Sequence, residues 1–471
     1  MTRNCGSSRA VRTWIGRFAL CACLVLVLPS GLRADDASGT EFWLAFEANG
    51  AASDPSLQIL GASGTVGSVE IPGLAFTSPF SIPAEGLATV VLPATASLST
   101  TDGVETLGVH VTANEPIVVY GLDVNPDSAD SYLALPVAAL GAAYETVSYT
   151  PEVPFTSQFA AVATTDGTQV TITPSAAIGS HLPGASFAVA LDAGQVYQAQ
   201  SSGDLSGTQI VADHPIAVFS GNPWVNVPSS VGYADHLVEQ LLPTASWGTD
   251  VFVIPSALRT AAERLRIQVS LPNTLVTMSP GGDVTLGPGS FSETSFSTPV
   301  RLHSDQPFSV SQFATGGSSD GGPGDPFLLV PTAVARFASC YLVATADDGT
   351  LFPDNFVNLV VPSAAVGQVG LDGASIASGS FTAIGATGYS YLRLAIAPGR
   401  HRLAGPEAFG ASIYGFGTAV SYASPAGGAS LPSAGVADCP EPSVAASLVS
   451  VVCALTSIAT RRRGARRRRS A

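Results

Sequence analysis

Asn114-Glu115-Pro116-Ile117-Val118-Val119-Tyr120 is a stretch that the chain writes four times. The other copies are Asp213-His214-Pro215-Ile216-Ala217-Val218-Phe219, Asp305-Gln306-Pro307-Phe308-Ser309-Val310-Ser311 and, more loosely, Ala404-Gly405-Pro406-Glu407-Ala408-Phe409-Gly410. In each, a proline-centred turn signal runs straight into an alternating apolar strand. The proline returns about every hundred residues, which marks four copies of one unit. Other stretches recur in the same order. Thr40 to Phe46 opens the first unit and answers to Tyr144–Tyr149, Trp247–Val253 and Ala338–Val343. A second strand contains Leu57–Leu60, Phe159–Val162, Leu265–Val269 and Phe356–Val360, and a third contains Ser68–Pro72, Gln169–Pro174, Leu275–Pro280 and Gln368–Asp372. The units fall near 40–139, 140–244, 245–334 and 335–425.

Short runs rich in Val, Thr, Phe and Tyr alternate with Gly, Pro, Ser and Asn clusters, a spacing that suggests sandwiches or barrels. The expected fold is therefore all-β. It comprises four tandem, related β-sandwich-like units of about 90–105 residues, with a propeller-like closed array as the alternative. Ala257 to Arg266 is the best short helix candidate.

The two ends differ from this body. Arg3, Arg9, Arg12 and Arg17 precede an apolar run from Phe18 to Leu28, and Leu32-Arg33-Ala34 offers a small residue for cleavage. Residues 1–34 read as a signal peptide, the run being too short to span a membrane. From 426 to 438 the chain reads as linker. Cys439-Pro440-Glu441-Pro442 follows, then an uncharged apolar stretch over 444–460 and seven arginines between Arg461 and Arg469. Arginines in that place stay in the cytoplasm, so the apolar stretch reads as a transmembrane segment.

All 35 acidic residues lie after residue 34, and 12 of the 20 basic ones lie in the tails; the body between carries 8 − 35 = −27. Such a charge excludes nucleic acid and anionic membrane surfaces as partners of the body and leaves contact with a membrane only to the C-terminal tail. Of six cysteines only Cys340 and Cys439 stand clear of the apolar ends, and Cys340, in an apolar strand, reads as a buried thiol.

After each repeated proline comes an irregular loop that differs from unit to unit, then an apolar run ending in proline. Asp130, Asp235 and Asp325 stand shortly before Pro136, Pro243 and Pro331. Variable loops on a rigid scaffold are where binding usually lives, which makes these three the ligand-binding candidates. The structural alternative is an aspartate closing its own turn on a backbone N–H. Asp123-x-Asn125-x-Asp127 opens like a calcium loop, but Ser128 and Ala134 stand where an EF-hand needs glycine and glutamate. These three are weak metal candidates. Calcium is the one cofactor the chain could take; no other is expected. His236 could ligate a metal but reads as a solvated surface residue. Gly317-Ser318-Ser319-Asp320-Gly321 matches a hydrolase elbow, yet glycine and proline follow it where the elbow needs a helix. No catalytic residue is assigned, and the chain is not read as an enzyme.

The C-terminal triplet Pro440, Glu441 and Pro442, followed by one apolar span and an arginine cluster, resembles a PEP-CTERM sorting signal. That resemblance implies a bacterial exosortase-type processing enzyme as partner and delivery to the cell surface or extracellular matrix. Gly39-Thr40-Glu41-Phe42-Trp43, Asp130-Ser131-Tyr132-Leu133-Ala134-Leu135-Pro136-Val137 and Leu140–Tyr144 resemble the IgGFc-binding protein N-terminal domain family. So do Thr315-Gly316-Gly317, Asp325–Pro331, Asn355–Asn358 and Tyr414-Gly415-Phe416-Gly417. The likeness covers roughly 39 to 425 and implies an extracellular, non-catalytic adhesion or matrix module whose glycan or protein ligand the residues do not name. A surface enzyme acting on polysaccharide or glycoprotein is the alternative; it would need two carboxylates facing each other in one cleft.

Overall fold

The computed structural model describes residues 37–347 and 349–428. These form strands and short 3-10 turns, with no α-helix among the described residues. Each unit is built on one long strand: Val109–Asn125, Gln209–Val225, Val300–Phe313 and Arg400–Phe416. Each long strand changes partners half-way. In the first unit its early residues lie between Gly39–Leu44 and Val66–Ile71, and its later ones between Asp54–Gly61 and Ser128–Leu133. The other three units repeat the pattern.

The change of partners happens at the repeated motif. Along the opening strand the register jumps from Thr112 to Ile117, from Val211 to Ile216, from His303 to Phe308 and from Ala404 to Phe409. Pro116, Pro215, Pro307 and Pro406 each fall inside the skipped residues. The motif is thus a bulge in the middle of a strand, not a turn before one. Proline has no N–H to give a ladder, so a place where the ladder is interrupted is the one interior position it tolerates. Bulges also bend a strand. Here the bend folds each sheet on itself, so that Val69, Val109 and Val111 from one half share a core with Leu57, Ile117 and Val119 from the other. The four curled sheets match the all-β expectation.

The sheets pack in a closed cycle. Ala160, Ala217 and Phe219 of the second unit join the first unit's core, and Phe313 and Leu328 of the third join the second's. Phe327 and Leu329 meet Tyr414 and Phe416 of the fourth. Leu342 and Ala344 of the fourth close on Val118 and Leu122 of the first. One strand, Asp102–Glu105, leaves its own unit to pair with Val196–Ser201 in the next. The ends of the body meet at the closure: Gly427–Gly428 pairs with Tyr341–Leu342, and Ala37 N donates to the Gly428 carbonyl at 3.2 Å. Gly427 N donates to Tyr120 Oη, which donates to the Leu342 carbonyl. A Cβ on Gly427 would lie 2.3 Å from Val118, so only glycine fits there.

Three expectations give way. Residues 426–428 belong to the body, not to a linker, because their backbone completes this seam. Ala257 to Arg266 is a loop followed by the strand Glu263–Val269; Leu258 takes a left-handed φ of 61° and Asp320 captures the N–H groups of Thr260 and Ala261, which a helix would otherwise use. Cys340 is disulfide-bonded, not a free thiol; the other five cysteines lie outside the described residues. The signal peptide, residues 429–438, the Pro440-Glu441-Pro442 triplet and the apolar stretch with its arginines also lie outside them. Among the described residues no helix is long and apolar enough to cross a membrane.

Candidate functional site

Four short strands follow the long ones: Ser128–Leu133, Asp235–Gln240, Leu328–Leu329 and Ser421–Pro425. They lie side by side where the four units meet, and the aspartates singled out above stand on or beside them. Asp130 and Asp235 are fully buried and Asp325 is 4% exposed. Asp130 Oδ1 accepts from Ser131 N at 2.8 Å and Ala423 N at 3.2 Å; Oδ2 accepts from Val238 N and Leu328 N, both at 3.2 Å. One carboxyl thus holds backbone from all four units. Burial lifts its pKa well above the ordinary value, although the four donors pull the other way. Asp235 holds Ala129 N, its own neighbour His236 N, and Ser421 N. Asp325 N donates to Ser421 Oγ, and burial pushes the Asp325 carboxyl up to about 7. The structure brings the three candidates together in the interior, where Asp130 and Asp235 accept backbone N–H groups; it does not spread them over exposed loops.

The calcium-loop candidates sit in different surroundings. Asp123 is buried in the long strand, Asn125 ends that strand, and Asp127 is exposed with its N–H on Asn125 Oδ1 at 2.9 Å. His236, expected on the surface, is fully buried, its Nε2 3.9 Å from Asp123 Oδ2. Among the described residues, no three His, Cys, Asp or Glu side chains form a group that could hold a metal ion. The elbow-like stretch begins with a 3-10 turn, Gly317–Ser319, and stops there. Ser318 Oγ donates to the Gly232 carbonyl at 3.0 Å, and Asp320 binds the Arg259 guanidinium at 3.1 Å. That geometry secures a loop.

The solvent-facing feature is the set of loops around the inner strands, tied down within units and, at two of the contacts below, across them. Gly50 N donates to the Pro223 carbonyl and Asn125 Nδ2 to the Ala52 carbonyl. Phe155 stacks on Trp224 at 6.1 Å, and Tyr149 N donates to Asn222 Oδ1 at 2.7 Å. Gly316 N donates to the Val227 carbonyl, and Arg259 Nη2 to the Gly316 carbonyl. Loops from the first three units are therefore fixed as one surface. On it stand Val153 at 87% exposure, Tyr233 at 62% and Leu258 at 51%, the latter two at φ of 74° and 61°. Left-handed backbone at a bulky apolar residue such as Tyr233 or Leu258 is strained, and strain of this kind clusters at ligand clamps and switch regions. Sequence reading passed over all three. The available signals were Val153-Pro154 between two strands and Tyr233 after Val231-Gly232 in an otherwise polar loop.

The sequence profile of the family described as IgGFc binding protein matches residues 130–415. The chain belongs to the IgGFc binding protein family. A curated relative, "IgGFc-binding protein" of Homo sapiens, is 29% identical over 327 residues, which is 66% of this chain and 6% of the relative's own length. The match covers the inner strands and loops of the second and third units but not Ser421–Pro425 or the loop around Gly50, and this chain corresponds to a small part of that relative. A solved structure described as "Crystal structure of tetra-tandem repeat in extending region of large adhesion protein" aligns over 83% of this chain and 94% of its own at 12% identity. Its TM-score of 0.08 is too low to bear on the fold.

Proposed function

We propose that this family member is an exported, non-catalytic binding protein of the bacterial surface or extracellular matrix, which takes a glycan or protein ligand on its interlocked loop face. One observation carries the reading: Val153, Tyr233 and Leu258 are exposed on loops that contacts within and between units hold in place. Pre-organised loops lose little freedom on binding, and exposed apolar side chains supply the contact area. The acidic body suits a soluble surface protein, and the human relative's name suggests a protein ligand for that protein. The C-terminal triplet, apolar stretch and arginines support processing by an exosortase-type enzyme, with the membrane reached only through that tail. The mass of the C-terminal peptide of the surface-recovered protein decides this; a peptide retaining Arg461 to Arg469 rules processing out.

The binding reading is tested with the purified protein on glycan and protein arrays. Combined Val153→Ser, Tyr233→Ser and Leu258→Ser lowers affinity for whatever the wild type captures by about tenfold or more, since each lost apolar contact is worth roughly 1 kcal/mol. Val91→Ser with Leu182→Ser, equally exposed at 66% each but elsewhere, leaves it unchanged. Equal binding by the loop variant overturns the proposal.

A further inference from the structure

Residues 45–53, between Gly39–Leu44 and Asp54–Gly61 of the first unit, form a strap laid over the second. Ala48 N donates to Gln198 Oε1 at 3.0 Å, Gln158 Nε2 donates to the Ala48 carbonyl at 2.8 Å, and Gly50 N reaches the Pro223 carbonyl at 2.8 Å. Beneath the strap lie Glu47 and His236, both fully buried, and Asp123 at 1% exposure. Neither carboxylate oxygen of Glu47 or Asp123 and neither ring nitrogen of His236 has a hydrogen-bond partner. The Ser53 hydroxyl and the Asn49 amide nitrogen turn towards Asp123 and ease its burial without reaching full hydrogen-bond geometry. Such groups, closed off from water and unsatisfied, are costly, and their cost depends on whether they carry charge. Asp130 shows the contrast, with both of its oxygens filled by backbone N–H groups.

We propose that Glu47, Asp123 and His236 form a proton-sensitive latch, which holds the strap on the second unit while the two carboxyls are protonated and releases it when they ionise. The charged groups acting on the cluster are these three, Asp54, which raises Asp123, and the nearby Tyr132 phenol. The carbonyls of Asn222 and Pro223 face His236. Burial raises Glu47 and then Asp123's charge raises it further; Asp123 is raised by burial, and burial lowers His236. The closed strap therefore binds more acid protons than the open one. Opening is favoured as pH rises from the ordinary carboxyl range, and the loop face, of which the strap is part, loosens with it. The low-pH limit is set by His236, whose protonation beside neutral carboxyls would bury an unpaired cation.

Hydrogen–deuterium exchange of the full chain tests this. After correction for intrinsic rates, protection of the 45–53 peptide falls about tenfold or more between about pH 6 and about pH 9, since each coupled proton changes the opening equilibrium up to tenfold per pH unit. The strap loses protection before the 117–122 peptide of the long strand, which opens only with the whole molecule. Glu47→Gln keeps the strap protected throughout, and Asp123→Asn does the same if the first variant does not fold. A wild-type strap whose protection is independent of pH overturns the latch. So does a Glu47→Gln chain that opens like the wild type. Restoration of wild-type protection at high pH by millimolar calcium or manganese would also overturn it, by showing a cation in the protons' place.

Discussion

Asp130 shows how far a single residue can be read from sequence. Its recurrence with Asp235 and Asp325 was visible, as was an aspartate's habit of capturing backbone N–H groups. That the captured groups belong to four different units was not visible, because they lie up to 293 positions away along the chain. Asp130→Asn tests the role. The side chain keeps its shape, but an amide nitrogen replaces an oxygen that faces two backbone N–H groups. Two buried donors are left unsatisfied, a loss of about 3 kcal/mol. A drop in melting temperature of several degrees follows, whereas Asp127→Asn, in an exposed turn, changes nothing measurable. Equal melting of the two variants would remove Asp130 from the centre of the fold. Glu47 had no such signal: a lone acid after an apolar strand looks like any solvated residue until the neighbouring unit covers it.

The long strand is the element that the sequence both revealed and disguised. Apolar alternation after the proline identified its second half. The bulge disguised its first half, because residues that skip a register break the two-residue period. Proline reads as punctuation from sequence and here punctuates a ladder without ending the strand. The consequence can be measured. Pro116→Ala or Pro215→Ala adds an N–H where no ladder bond is required and costs little. Val118→Asp or Val218→Asp places a charge among fully buried residues, at a cost of several kcal/mol. Equal, small losses of melting temperature in all four variants would contradict the assignment of those valines to the buried strand half.

At the scale of the whole molecule, closure joins local chemistry to stability. Acids are buried at the seams and at the centre; besides Asp325, burial pushes Glu145 up to about 7. Both have folded pKa values above their unfolded ones. Their stabilisation is therefore full below the ordinary carboxyl range and is lost as pH rises to about 7. Glu47, Asp123, Asp130, Asp235, Glu239 and Glu263 are raised too and act in the same sense. His236, lowered by burial, opposes them below its ordinary value, and Asp204 and Asp320, lowered, oppose them only in stronger acid. The melting temperature should accordingly be higher near pH 5 than near pH 8, by several degrees if two such groups each contribute on the order of 2 kcal/mol. The reverse order in a calorimetric pH series would refute this. The closed cycle also bears on ancestry. An open array of repeats can gain or lose a copy, since each repeat touches only its neighbours. Here Asp130 has four acceptor positions filled by four units, and the last glycines close against the first unit. Duplication inside such a gene cannot lengthen the protein gradually: a fifth copy would have no donor's place at the carboxyl, and a missing one would leave an oxygen with one donor instead of two. The centre works as a counter that accepts four copies.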